Sequence, residues 1–323
     1  MCEKMAKRTN FILELAGKSI RKVQSLADKY ICGKRRRRIV STFCKIIFTL
    51  NMDKLFDVSG KVAVVTGGSG ILCGAMAKSL AERGARIGVL GRTPEKNEKR
   101  VAEIRSAGGE AISLVADVLD EKALETAAQK ILDTWGQLDI LINGAGGNIP
   151  GAAIPPGENF FENHPFANYK RVFELNLDGT VLPTMVFGKI MARQKKGSII
   201  NISSMTAMQA VTRVPGYSTA KAAVDLFTKW LAVEAALKFG EGIRVNAIAP
   251  GFFVTDQNRA LLTTPDGGYT ERGASVIRKT PTGRFGEADE LIGTCIWLCS
   301  DASKFVTGTI IPVDGGFSAW SGV

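Results

Sequence analysis

Between residues 61 and 313, short runs of β-branched residues alternate with stretches of helical spacing, and this alternation leaves few folds open. Strands are expected over residues 62–65, 86–90, 111–115, 138–142, 198–202, 243–248 and 309–313. Helices are expected over 75–83, 94–107, 121–135, 169–193, 217–239 and 287–299. The strand runs are apolar without alternation, as in strands buried on both faces. Repeats of this kind build a parallel sheet with right-handed crossovers. The expected fold class is α/β, a doubly wound parallel sheet of about seven strands, in one domain over residues 52–323.

Residues 1–51 differ in kind. They carry 13 Lys and Arg against 3 Asp and Glu, so +10 of the net charge of +11 lies there. The rest of the chain is nearly neutral, so the basic balance does not argue that the domain binds nucleic acid or a membrane. Lys34-Arg35-Arg36-Arg37-Arg38 precedes an apolar run over 39–50 that Lys45 interrupts. The run comes late for a secretory signal, and it is shorter than the roughly 20 residues that span a bilayer. One reading of 1–51 is a basic arm for nucleic acid. The other is an upstream extension, not native or disordered, and dispensable to a domain that opens at Met52. No pair among the six cysteines has CxxC spacing, which argues against a disulfide framework or a zinc site and for a reducing, cytoplasmic compartment. No metal is expected. The single histidine, His164, is read as a loop hydrogen-bonder, so proton chemistry falls to Tyr, Lys, Cys or carboxylates.

Thr66-Gly67-Gly68-Ser69-Gly70-Ile71-Leu72-Cys73-Gly74 lies between the first strand and the first helix. Glycines there let the backbone approach a pyrophosphate, and the helix N-terminus offers unpaired N–H groups and a positive dipole. In that context the turn points to a dinucleotide site of the Rossmann kind. The second strand ends at Leu90-Gly91-Arg92 without the acid that would bind a ribose 2′-hydroxyl. Arg92 can meet a 2′-phosphate instead, which leans toward NADP; the bland alternative is a solvated loop arginine.

Tyr217-Ser218-Thr219-Ala220-Lys221 places Tyr and Lys four apart, on one helix face. A cation at about 4 Å stabilises phenolate by roughly 4 kcal/mol at an effective dielectric of 20, or about three pKa units. Such a pair performs acid/base chemistry without histidine. Ser203-Ser204 at the end of a strand and Asn176 on the long helix complete the candidate set: a hydroxyl can orient a carbonyl oxygen, and an amide can hold a water in a proton relay.

These segments, with Ala116-Asp117-Val118, Asn143-Gly144-Ala145-Gly146, Pro250-Gly251 and Val313-Asp314-Gly315-Gly316, resemble the short-chain dehydrogenase/reductase family over nearly all of residues 56–323. The resemblance implies hydride exchange between NAD(P)(H) and a carbonyl or alcohol. It implies Tyr217 as acid/base, Lys221 as the ribose ligand that lowers the tyrosine pKa, and Asn176 as part of the relay. Ser204, thirteen residues before Tyr217, takes the place of the substrate-orienting serine. Gly67, Ser69, Gly70, Ile71, Leu72, Val118, Ala145, Pro250 and Gly251 join the implied cofactor site, with Asp117 at the adenine, Asn143 on the ribose side, and Phe253 and Thr255 at the carboxamide. Ile71 and Cys73 stand where the family usually has glycine. A homotetramer is implied too.

Within the family, the segments 70–77, 143–148, 250–259 and 315–323 resemble the group described as D-mannonate oxidoreductases, or fructuronate reductases. A small sugar acid is the implied substrate. The loop 148–167 and the segment 255–278 are expected over the ligand crevice. There Arg213 and Arg259 can chelate a carboxylate, and Asn148, Gln209 and Asn258 can serve hydroxyls. Alternatives are a gluconate 5-dehydrogenase, a 3-oxoacyl-carrier reductase, and, more distantly, a nucleic-acid-binding protein using the basic arm.

Overall fold

The computed structural model describes residues 54–163, 165–256 and 258–322. The basic extension over 1–51 and His164 lie outside the described residues. The apolar runs form seven strands: β1 (Val62–Thr66), β2 (Arg86–Gly91), β3 (Glu110–Val115), β4 (Ile140–Asn143), β5 (Gly197–Ile202), β6 (Ile243–Pro250) and β7 (Ile310–Val313). All pair in parallel, in the order β3-β2-β1-β4-β5-β6-β7. The order reverses between β1 and β4, which opens a crevice at their C-terminal ends.

The main helices are α1 (Ile71–Glu82), α2 (Pro94–Ser106), α3 (Glu121–Trp135), α4 (Phe166–Gln194), α5 (Pro215–Phe239), α6 (Glu271–Lys279) and α7 (Ile292–Cys299). They sort by the two-residue period of the strands. Ala63, Val65, Ile87, Val89, Ile140 and Ile142 face α1, α2 and α7. Val62, Val64, Leu90, Leu114 and Leu141 face α3, α4 and α5. Each fully buried aliphatic side chain contributes about 1.5–3 kcal/mol, so neither face of the sheet is left to water.

Helix α3 matches its expected bounds because both ends are written locally. Asp120 Oδ1 accepts the Ala123 amide at 3.1 Å, and Gly136 ends the helix at φ 74°. Helix α1 starts four residues earlier than expected. Gly67, at φ 67°, turns the chain so tightly that a Cβ there would lie 3.0 Å from Gly144 O, and the helix begins directly after Gly70. The helix expected over 287–299 is broken: a Glu287–Glu290 capping box opens a 3₁₀ turn, Ala288–Leu291, before α7. The supposed loops also carry unexpected structure, namely α6 and the one-turn helices Phe160–Asn163 and Arg259–Leu262.

Candidate active site

The C-terminal ends of β1, β2, β4, β5 and β6 open into one cleft of about 910 Å³. Gly67, Ser69, Gly70, Ile71 and Leu72 line one end of it. Helix α1 begins there with no side-chain cap and no acid in its first turn. Its first amides are therefore left for an anion. Thr66 Oγ1 accepts the amides of Gly144 and Ala145 at 3.0 and 3.1 Å, tying the glycine turn to the strip that follows β4. Cys73 explains how the turn tolerates a side chain where glycine is usual. Its Sγ occupies the space that a Cβ on Gly144 would need. Burial pushes this thiol up to about 12, against the pull of Lys221, so it is a packing group and not a nucleophile.

Across the cleft, β5 and α5 meet residue by residue. Ser204, at the end of β5, is buried and accepts the Thr206 amide at 3.2 Å. Tyr217 is half-buried on the cleft wall. Burial raises its pKa, and a hydrogen bond with Ser204 lowers it. The Lys221 ammonium sits 5.6 Å from the ring centroid and donates to Ile202 O at 2.7 Å. Its own burial lowers it to about 8, against the opposing pull of Cys73 and Asp225.

Asn176 is fully buried, and its amide is spent on backbone. Oδ1 accepts from Gly147 N at 2.9 Å, and Nδ2 donates to Gly147 O and Val172 O, each at 2.8 Å. Its backbone carbonyl accepts from Thr180 Oγ1 at 2.9 Å. The side chain thus clamps the 144–150 strip, which lines the cleft.

Val118, Ala145, Pro250, Gly251, Phe253 and Thr255 line the cleft with the glycine turn, Arg92, Tyr217 and Lys221. Asn143 does not. Its Nδ2 donates inward to Thr184 Oγ1 at 2.7 Å and Asn201 Oδ1 at 2.9 Å, beneath the site. Asp117 is also off the wall: it accepts the Leu119 amide and stands 3.6 Å from Arg92, an exposed pair worth little. Lys96, Lys99 and Arg100 line the cleft beside Arg92. Sequence reasoning passed over them, although their spacing puts them on one face of α2.

Of the substrate candidates, Asn148 lines the cleft with its Oδ1 buried and unpaired. Asn258 lines it too, but its amide bonds Thr255 N and Phe253 O, at 2.7 and 2.8 Å, and so shapes the local turn. Gln209 and Arg259 are not on the wall, and Arg259 is exposed. Arg213 is not on the wall either: Arg213 Nε donates to Ile154 O at 2.7 Å, and Arg213 O accepts the Ile154 amide at 2.8 Å. It adopts φ 79°, a conformation that costs a non-glycine residue about 1–2 kcal/mol. Arg272, at the start of α6, is half-buried and lies within charge range of Arg213; burial and that repulsion lower its pKa. It was missed because its neighbour is 59 residues away and no local pattern marks it. Among the described residues, no cluster of three or more His, Cys, Asp or Glu is placed to hold a metal ion, and no helix is long and apolar enough to cross a membrane.

The cradle fits a nicotinamide dinucleotide: the glycine-rich turn and uncapped α1 suit a pyrophosphate, and Tyr217 and Lys221 line the same cleft. With Ser204 beside the phenol, the fold and cleft define an NAD(P)-dependent oxidoreductase acting on CH–OH groups or carbonyls. A family model described as enoyl-(acyl carrier protein) reductase matches residues 68–318. The chain belongs to the short-chain dehydrogenase/reductase family. An uncharacterised oxidoreductase of Bacillus subtilis is 47% identical over 276 residues, covering 83% of this chain and 98% of the relative. A structure from Haemophilus influenzae, provisionally described as a D-mannonate oxidoreductase with bound NAD, is 42% identical with a TM-score of 0.77, covering 83% of this chain and 98% of that one. A gluconate 5-dehydrogenase from Burkholderia cenocepacia, in complex with NADP and tartrate, is 31% identical with a TM-score of 0.71, covering 83% and 98%.

Proposed function

We propose that this oxidoreductase acts on a sugar acid, reducing D-fructuronate to D-mannonate. The observation that carries the reading is an acid/base wall whose tyrosine shares a segment with Arg213. Ser204 and Tyr217 meet in the cleft, Arg213 precedes Tyr217 by four residues on the same segment, and Arg272 approaches from α6. The names of similar proteins support it: besides the two structures above, a 2-dehydro-3-deoxy-D-gluconate 5-dehydrogenase of Bacillus subtilis is 35% identical over 263 residues.

In this reading Ser204 orients the carbonyl oxygen and Tyr217 gives it a proton. Lys221 holds the nicotinamide ribose, and Asn176 keeps the 144–150 strip in place. Bound NAD(P)H supplies a hydride to the carbonyl carbon. Arg213, with Arg272 beside it, takes the carboxylate in preference to exposed Arg259, and Asn148 meets a hydroxyl. Arg92, with Lys96 and Lys99 near it on the cleft wall, favours NADP.

A homo-oligomer, tetrameric by family resemblance, is part of the proposal. Leu226, Trp230, Val233 and Leu237 leave an exposed apolar stripe along α5 that a second copy would cover. So is a cytoplasmic location, which suits the buried free thiols of Cys73, Cys295 and Cys299.

The test is a panel of fructuronate, 5-ketogluconate and an acetoacetyl thioester, each with NADH and NADPH. Fructuronate should be reduced with the highest kcat/KM. A charge-assisted contact is worth about 1.5–3 kcal/mol, so Arg213→Ala should raise KM for fructuronate roughly 10- to 150-fold, with a smaller change in kcat. Reduction of 5-ketogluconate or the thioester alone would replace the reading with one of its alternatives.

A further inference from the structure

The end of β5 and the face of α5 pair in three steps, of which the reaction described above uses two. Ser204 meets Tyr217, and Ile202 O receives the Lys221 ammonium. The third step is Ser203 with Asp225. Ser203 is buried at the sheet end, between the other two. Asp225 lies one turn beyond Lys221, on the same side of α5. Ser203 approaches the Asp225 carboxylate without closing a hydrogen bond of full geometry, so Ser203 Oγ and Asp225 Oδ1 are both buried and unpaired. Two buried, unpaired polar atoms on neighbouring residues of a catalytic lysine's helix and strand call for an explanation.

We propose that Asp225 is a positioning residue for the hydride-transfer reaction: with Ser203, it keeps Lys221 charged and directed between Ile202 and the coenzyme ribose.

The charges around the pair suit that role. Lys221 is opposed by its own burial, and the groups that favour its charge are Cys73 from α1 and Asp225. The Cys73 thiol is neutral near pH 7, because burial pushes it up to about 12, which leaves Asp225 as the working counter-charge. Burial raises the Asp225 carboxyl, while Ser203, Lys229 and Lys221 lower it. Its outer side borders a second cavity of about 510 Å³, lined also by Met208, Leu226, Lys229 and Ile310, which gives water a route to the carboxylate. Without Asp225, Lys221 would lose its proton at lower pH.

The inference needs a dinucleotide-dependent oxidoreductase but no particular substrate. The experiment compares the full chain with Asp225→Asn, Asp225→Glu and Ser203→Ala between pH 6 and 10. NADH affinity is followed by fluorescence, and kcat/KM is measured with the preferred substrate of the panel above. In Asp225→Asn, the pH at which NADH affinity is half lost should fall by about 1 unit, the lower end of what a nearby opposite charge supplies. The ratio of variant to wild-type kcat/KM should fall as pH rises. Asp225→Glu should restore the profile, and Ser203→Ala should shift it less. Superimposable profiles would overturn the proposal, whether or not activity drops uniformly, because a merely structural role lowers activity at every pH alike. Failure to reduce any sugar acid would overturn the substrate reading alone, since the NADH titration does not depend on it.

Discussion

Replacing Asn176 by alanine separates the clamp seen here from a water-holding role in a relay. The change removes three hydrogen bonds: two part-buried, accepted from Gly147 N and donated to Gly147 O, and one buried, donated to Val172 O. At a net 0.5–1.5 kcal/mol each, the loss is about 3 kcal/mol. Gly147 is half-buried, so water recovers part of its bonding and the loss falls toward the lower end of the range. A domain of this size loses about 2–4 °C of melting temperature per kcal/mol, so a loss of about 1.5–2.5 kcal/mol gives a fall of roughly 3–10 °C. Because the strip that Asn176 holds also lines the cleft, NADH affinity should weaken with stability. The assays are thermal unfolding of the coenzyme-free protein and a fluorescence titration with NADH. A melting temperature within about 2 °C of wild type, with normal NADH affinity and turnover alone lost, would refute the clamp and restore the relay.

Tyr217→Phe should lose at least about 100-fold in turnover, the usual range for an acid/base group, and still bind NADH; steady-state kinetics and the same titration check this. Arg92→Ala should lower the ratio of kcat/KM with NADPH to that with NADH, and an unchanged ratio would mean that Arg92, which is 69% exposed, is only a surface partner of Asp117. Lys221 has a folded pKa of about 8 against 10.5 in its ordinary state. Between those values the unfolded chain holds a proton that the folded chain has released, so this lysine costs stability below pH 8 and the cost fades as pH rises to 10.5. The stability of wild type relative to Lys221→Met should therefore rise by up to about 3 kcal/mol between pH 7 and 10.5, as urea unfolding would measure; a flat difference would show that the lysine is not desolvated.

What could be read along the chain was whatever a residue states about its own neighbours. The apolar runs became β1 to β7, and β1, β4, β5 and β6, buried on both faces, need no partner to show their pattern. Asp120 and Gly136 placed both ends of α3, and Tyr217 and Lys221 shared a face because four residues make about one helical turn. Segments with no such period, 148–167 and 255–278, hid α6 and two one-turn helices. Their order comes from contacts such as the clasp between Arg213 and Ile154.

The sheet order decided the rest. Asn143 resembles a coenzyme ligand in its motif, yet β4 lies beside β5 and under α4, so its amide is captured by Asn201 and Thr184, 58 and 41 residues away. The same adjacency of β5 and α5 sets Ser203 against Asp225 and leaves Lys221 bonded to Ile202. Arg272 comes within charge range of Arg213 through α6, 59 residues along the chain. Sequence periodicity records which face of an element is buried; it carries nothing about which element covers that face. Polar groups inside a protein must find partners wherever the packing brings them, so the hydrogen bonds and charges that assign roles in this cleft exist only once the strands have taken their order.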